Sequence, residues 1–374
     1  MLRILSRTRI STLAAYAIAL SACLSATSAY AADFDRVLPG KPLAFPQDYG
    51  AHPGYRTEWW YATGWLQTPD NKPLGFQVTF FRSATGADAA NPSKFAPRQL
   101  IIAHAALSDP AIGRLLHDQK SAREGFGLAY AKTGNTDIKL DNWSMQRDSE
   151  GNYRASIAGK DFTLNLRLSP SQPLLLQGEQ GYSQKGPSPG QASYYYSEPQ
   201  LQVSGTIARA GKETAVKGSA WLDHEWSTSV LDVQSSGWDW LGANLDGGGA
   251  LMAFQIRGKD GRQVWSHATL RDASGKVTQY AAGQVHFTPQ RYWTSTATNT
   301  RYPVATAIEL ADSATGNNER DIWTLQPLSD DQELDSRRST GAIYWEGAVT
   351  VQRNGKPAGR GYLELTGYNK ALKL

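Results

Sequence analysis

Six consecutive residues, Trp221-Leu222-Asp223-His224-Glu225-Trp226, set two carboxylates, an imidazole and two indoles in one stretch of chain. On an extended backbone successive side chains alternate between faces. Leu222, His224 and Trp226 then share one side, and Trp221, Asp223 and Glu225 the other. Titratable groups held against an apolar wall have shifted pKa values, which is the condition for acid–base chemistry near neutrality. The same pattern also suits an interdomain hinge whose acids cap turns and whose tryptophans are core. Asp223 and His224 are the first candidates for proton transfer, followed by Asp239. Glu58 is a further acid and His104 a further imidazole. Trp59, Trp60, Tyr195, Trp226, Trp238 and Trp240 are the aromatic candidates for the walls of a ligand site.

Each candidate has a structural alternative. Asp239 lies between Trp238 and Trp240 and points away from both rings on a strand, where it can pair with a buried arginine such as Arg257. His104 sits in a run apolar on both faces, Leu100 to Leu107, and suits a core histidine satisfied by backbone. Glu58 can form an ion pair with Arg56 or Arg82. Glu346 and Glu364 have no accompanying histidine and read as structural.

Rival chemistries fit poorly. Gly186-Pro-Ser-Pro-Gly190 has the spelling of a nucleophile elbow, but it lies in a Pro/Gly tract with no helical sequence after it. His224-Glu225 opens like a zincin helix, yet Thr228 stands where the second histidine belongs. The six histidines are scattered and cysteine is confined to Cys23, so no metal site is expected. No glycine-rich phosphate loop follows a strand, and Gly247-Gly248-Gly249 reads as a hairpin turn, so no cofactor is expected either.

The elements that must position these groups are strands. Phe162, Leu164, Leu166 and Leu168 alternate with Thr163, Asn165 and Arg167, the signature of a half-buried strand. Similar runs occur at 74–82, 99–107, 200–209, 250–257, 321–326, 343–352 and 359–366, separated by turns such as Asp260-Gly261, Ser274-Gly275 and Asn354-Gly355. The best helical candidate, 121–131, is weakened by Gly125 and Gly127. The tract from Gly181 to Gly190 reads as a mobile loop.

The chain also repeats. Trp60–Gly64 with Gly75–Arg82 resembles Trp238–Gly242 with Gly249–Arg257. Val203–Ile207 with Gly218–Leu222 resembles Trp345–Val349 with Gly361–Leu365. A duplicated antiparallel barrel accounts for both, with halves at 32–228 and 229–374 that meet through a polar connector near 222–237.

Residues 1–31 read as an export signal: Arg3, Arg7 and Arg9 precede an apolar stretch, and Ala29-Tyr30-Ala31 suits cleavage. Leu20-Ser21-Ala22-Cys23 resembles a lipobox, so a lipoprotein signal ending at Cys23, with a membrane tether there, is the competing reading. Either places the protein outside the cytoplasm, in the periplasm or envelope or secreted. The formal charge of +4 falls to about +1 without that segment, which leaves no electrostatic case for nucleic acid. Twelve tryptophans and seventeen tyrosines favour strands and apolar ligand sites.

Glu58-Trp59-Trp60-Tyr61, His104–Asp109, Tyr195-Tyr196-Ser197, Trp221–Trp226, Gly237–Trp240, Tyr344–Gly347 and Gly361–Tyr368 together resemble the carotenoid hydratase (hydroxyneurosporene synthase) and attachment-protein-like superfamily. Its exported branch is called predicted secreted hydrolase. The resemblance spans nearly the whole chain after the signal and implies two tandem lipocalin-like (calycin) antiparallel β-barrels. It implies hydration or related acid–base chemistry on an apolar isoprenoid or lipid-like molecule, although an exported copy departs from the membrane-pigment setting of the carotenoid enzymes. Hydration of an alkene needs a protonated carboxyl, aromatic faces that shelter a cation for about 2 kcal/mol when desolvated, and a group that holds water. The alternative is a non-catalytic lipid carrier of the envelope that serves an export system.

Overall fold

The computed structural model describes residues 34–87, 90–311 and 320–372; the export signal, Cys23 and the cleavage site read from the sequence lie outside them. The described residues contain no α-helix, and no helix long and apolar enough to cross a membrane. The first sheet comprises β1 (Thr57–Gln67), β2 (Pro73–Ala84), β3 (Gln99–Ser108), β4 (Leu115–Arg123), β5 (Ala129–Ala131), β6 (Asp137–Leu140), β7 (Trp143–Arg147), β8 (Tyr153–Ala158), β9 (Phe162–Ser169), β10 (Leu175–Leu176), β11 (Tyr182–Gln184), β12 (Ala192–Arg209) and β13 (Lys212–Ser229). The second comprises β14 (Ser235–Leu245), β15 (Ala250–Gly258), β16 (Gln263–Arg271), β17 (Val277–Tyr280), β18 (Val285–Thr294), β19 (Arg301–Ala311), β20 (Arg320–Pro327), β21 (Glu333–Asp335), β22 (Ile343–Arg353) and β23 (Lys356–Leu365).

Both halves use one plan. The opening strand pairs antiparallel with the last, β1 with β13 and β14 with β23, and with its successor, β2 or β15. Each sheet curls until its ends approach: β3 and β4 touch β5 and β6, and β15 and β16 touch β18. The fold is therefore two lipocalin-like barrels in tandem, whose interiors are separate apolar cores. Trp60, Ala62, Phe76, Phe80, Leu164 and Leu222 help fill the first, and Leu241, Ala253, Tyr302, Trp323, Trp345 and Leu363 the second.

Three local expectations change. Residues 121–131 form no helix: β4 ends at Arg123 and a turn leads into β5, as two glycines in one turn disfavour helix. Part of the 181–190 tract is ordered as β11, paired with β12. Only 230–234 separates the sheets, since Ser227 remains in β13 and donates its hydroxyl to the Ala192 carbonyl at 2.6 Å.

The internal repeat is real in topology but slips by one residue in its first segment. Trp60 faces the first core, whereas Trp238 faces outward, so Trp59 rather than Trp60 shares its orientation. A one-residue slip reverses every side chain of a strand. The second segment keeps its faces: Val203 and Ile207 point into one barrel as Trp345 and Val349 do into the other.

The barrels meet along the outer faces of β1, β2 and β13 on one side and of β14, β15, β22 and β23 on the other. Trp65 donates its indole N–H to the Gly361 carbonyl at 2.9 Å, and Asn244 donates to the Ala220 carbonyl at 3.0 Å. Close approach needs glycine. A Cβ at Gly75 would lie 2.8 Å from the Ala348 methyl, and one at Gly242 would lie 2.5 Å from the Trp240 ring.

Candidate active site

A cavity of about 110 Å³ lies in this seam, between the barrels rather than inside either. Its first-barrel wall comprises outward residues of β1, β2 and β13: Thr57, Trp59, Tyr61, Thr79, Phe81, Asp223 and Glu225. Its second-barrel wall includes Trp238, Trp240, Phe254, Ile256, Tyr344 and Glu364. Strand alternation puts Trp59 and Tyr61 on the same face, and the β1–β13 register sets them directly opposite Glu225 and Asp223.

Asp223 is 3% exposed. Its Oδ1 accepts the Ser197 hydroxyl at 2.5 Å and the Trp221 indole N–H at 2.6 Å, and its Oδ2 accepts the Tyr195 hydroxyl at 2.6 Å. Trp240 in turn donates to the Tyr195 oxygen at 3.1 Å. Burial pushes the Asp223 pKa up to about 7, and the neighbouring Glu225 adds to the rise, while the three donors hold it down.

Glu364, which accepts the Trp238 indole N–H at 2.8 Å, is raised by burial and by the negative charges of Asp223 and Glu225. Behind it Glu346 accepts the Tyr61 hydroxyl at 2.8 Å, and its other oxygen has no hydrogen-bond partner among the described residues. Burial and Glu364 push its pKa well above the usual range. Glu225 is different, because Lys185 pairs with it at 3.0 Å and Ser193 donates to it. The Lys185 ammonium lies 4.6 Å from the Tyr195 ring centroid and 4.3 Å from that of Phe254. Among the residues that line the cavity Lys185 is the one cation beside three carboxyls, Asp223, Glu225 and Glu364, and like-charge repulsion disfavours their simultaneous ionisation.

The remaining candidates fall elsewhere. His224, on the opposite face of β13 from Asp223, is fully buried and does not reach the cavity. Its Nε2 donates to Glu58 at 2.8 Å and its Nδ1 accepts from Tyr196 at 3.1 Å. Glu58 also receives Arg82 at 2.7 Å and His52 at 2.7 Å. Burial lowers the His224 pKa to about 4, so the imidazole is neutral at neutral pH. Burial also opposes charge on His52, but its bonds to Asp48 and Glu58 outweigh that and raise its pKa. Ligand-type atoms of His52, Glu58 and His224 lie within 4.8 Å of one another. They are already spent on each other, and the Arg82 guanidinium holds Glu58.

Trp60 stacks on His224 inside the first barrel and Trp226 stacks on His52, so neither walls the cavity. Tyr195 is buried behind Asp223 rather than on the wall. Asp239, on the inward face of β14, forms an ion pair with Arg257 at 3.0 Å. His104 bonds Tyr344 at 2.7 Å and Ser339 at 2.8 Å, and burial drops its pKa to about 3. It orients a wall residue instead of meeting the cavity. Of the sequence candidates, Asp223, Trp59, Trp238 and Trp240 converge. Glu364, read from the sequence as structural, and Lys185, not singled out there, also line the cavity. The repeat held the signal for Glu364, since it occupies the position of Trp221 in the second copy and so faces the seam.

Residues 36–368 match the model of a family described as AttH-like. A protein of Nitrosomonas europaea described as an AttH is 60% identical; the match covers 90% of this chain and 100% of that one, with a TM-score of 0.82. Kievitone hydratase from Nectria haematococca is 15% identical, with 91% and 97% covered and a TM-score of 0.66. CghA, solved with Sch210972, is 12% identical, with 84% and 89% covered and a TM-score of 0.52. These last two likenesses show the fold alone. No curated protein matches the sequence.

Proposed function

The chain belongs to the AttH-like family, and from that membership and the seam between its barrels we propose that it is an acid–base catalyst that adds water to an apolar, isoprenoid or lipid-like molecule. The observation that carries this reading is Asp223, a carboxyl held near neutrality within an aromatic cavity. Such a group is protonated in part at pH 7 and can give a proton to carbon. The alkene π pair takes the proton from the carboxyl oxygen, so a C–H bond forms as the O–H bond breaks. The indoles of Trp59, Trp238 and Trp240 shelter the cation. Water then attacks it through an oxygen lone pair, and the proton that water loses passes to a carboxylate, Glu364 being across the cavity from Asp223. The product is an alcohol, with no change of oxidation state overall. A kievitone hydratase shares this fold, which supports hydration as the class without naming the substrate.

The cavity also bounds the substrate. A dry cavity of ~150 Å³ takes a benzene ring, so about 110 Å³ admits the reacting end of a longer molecule and not its whole length. The basic and apolar N-terminus supports export, with cleavage after Ala31 or lipidation at Cys23; the mass of the mature N-terminus separates the two.

The test is to extract what co-purifies with the protein, identify it by mass spectrometry, and incubate it in ¹⁸O-labelled water with wild type and Asp223→Asn. Incorporation of the label by wild type and its loss in the variant, at unchanged binding, is expected. Binding without incorporation by any form would establish a carrier instead.

A further inference from the structure

The mouth of the second barrel holds a larger hollow, of about 470 Å³, that takes no part in the chemistry assigned to the seam. It opens among β14, β15, β18 and β19 and the residues after β23, at the end of the barrel that the apolar core leaves unfilled. Its floor is polar and buried: Asp239 is 3% exposed, and Gln255 and Arg257 are each 8% exposed. Asp239 Oδ1 accepts from Arg257 Nε at 3.0 Å, and its Oδ2 accepts from Gln255 at 2.6 Å and from the Tyr368 hydroxyl at 3.2 Å. Arg257 Nη2 donates to the Thr366 carbonyl, and the guanidinium lies 3.8 Å over the Tyr368 ring.

Every oxygen of the floor carboxylate is therefore engaged, while Arg257 Nη1 has no hydrogen-bond partner among the described residues. The unspent group is a donor pair on a guanidinium fixed by two bonds and a stacked ring. It calls for an acceptor, and a charged donor binds an ionised acceptor about twice as strongly as a neutral one. Above it, Phe287, Pro289, Tyr292 and Pro303 line the walls with apolar surface. The volume falls within the roughly 300–1,000 Å³ of small-molecule sites.

We propose that the mouth of the second barrel is a second binding site, for an apolar molecule that ends in a carboxylate. The carboxylate meets Arg257 Nη1 and the tail lies along Phe287, Tyr292 and Pro303. This gives Asp239 its role, as the counter-ion that fixes the guanidinium.

Isothermal titration with dodecanoate and with dodecanol tests the site on the intact chain. Dodecanoate is expected to bind one to one, at least tenfold more tightly than dodecanol. Arg257→Gln should weaken it at least tenfold, Tyr292→Ala should weaken it severalfold, and Asp223→Asn should leave it within twofold. Tyr292 lies at the exposed rim, so its variant decides the matter if Arg257→Gln fails to fold. No binding of dodecanoate, equal affinity for the alcohol, or an affinity that answers to Asp223→Asn and not to the barrel-mouth variants overturns the proposal.

Discussion

At Asp223, burial and Glu225 raise the pKa, and Ser197, Tyr195 and Trp221 lower it. Burial wins, so the group titrates near 7 instead of near 3.8. Two outcomes follow at this scale. Turnover should fall as pH rises through about 7, because the acid form is the one that gives the proton, and Asp223→Asn should cost about 10²–10⁴ in rate at unchanged ligand affinity. Tyr195→Phe removes a bond that favours the charged carboxylate, so it should shift the descending limb of the pH–rate profile to higher pH; a profile that stays in place would show that the bond does not set the acidity. Stability carries the same sign. Because the folded-state pKa lies above the unfolded one, the stabilisation drawn from the neutral carboxyl is complete below 3.8 and is lost as pH rises through about 7. Asp223→Asn should therefore flatten the stability profile over that window in urea titrations.

At the scale of the strand, β13 carries two unrelated polar systems on its two faces. One face serves the seam. The other carries His224 into the network of Glu58, His52 and Arg82 that closes one end of the first barrel. Removing one partner of a buried ion pair leaves the other charge uncompensated, so Arg82→Met should cost about 3–5 kcal/mol in chemical denaturation. His224 behaves oppositely to Asp223 in pH. Its folded pKa of about 4 lies below 6.5, so its contribution is present above 6.5 and is lost as pH falls toward 4. Glu58, held low by His224 and His52 against its own burial, adds loss on the acid side below 4.5. Measured stability should thus decline on acidification from 6.5, and His224→Asn should make that decline shallower.

At the scale of the molecule, the chemistry belongs to neither barrel. The first interior is filled by its own core and the second is filled except at its polar mouth, and the seam cavity exists only where two outer faces come together. The spacing is set by small residues, so Gly242→Val, which drives a side chain into the Trp240 ring, should cost about 1–3 kcal/mol of stability. It should also depress turnover while leaving dodecanoate binding at the second barrel's mouth intact. Loss of both together would mean that the seam and the barrel mouth are not separate sites.

Period-2 alternation, turn residues and the internal repeat made the all-β, duplicated architecture legible in the chain itself, because those signals are local. They also placed Asp223 opposite His224 across one strand, since adjacent residues on an extended backbone cannot share a face. The sequence could not say which face meets an enclosed space. Both faces of β13 are buried, one against the first core and one against the second barrel, and composition does not tell them apart. Only the docking of the barrels brought Glu364 to Asp223, from a position about 140 residues away in the chain, whereas Lys185, about 40 residues away, arrives through strand pairing within the first sheet, and the pairing of Asp239 with Arg257 was legible as an alternative in the chain itself. Long-range contact is decided by how whole sheets pack, and it leaves no mark in the spacing of neighbouring residues.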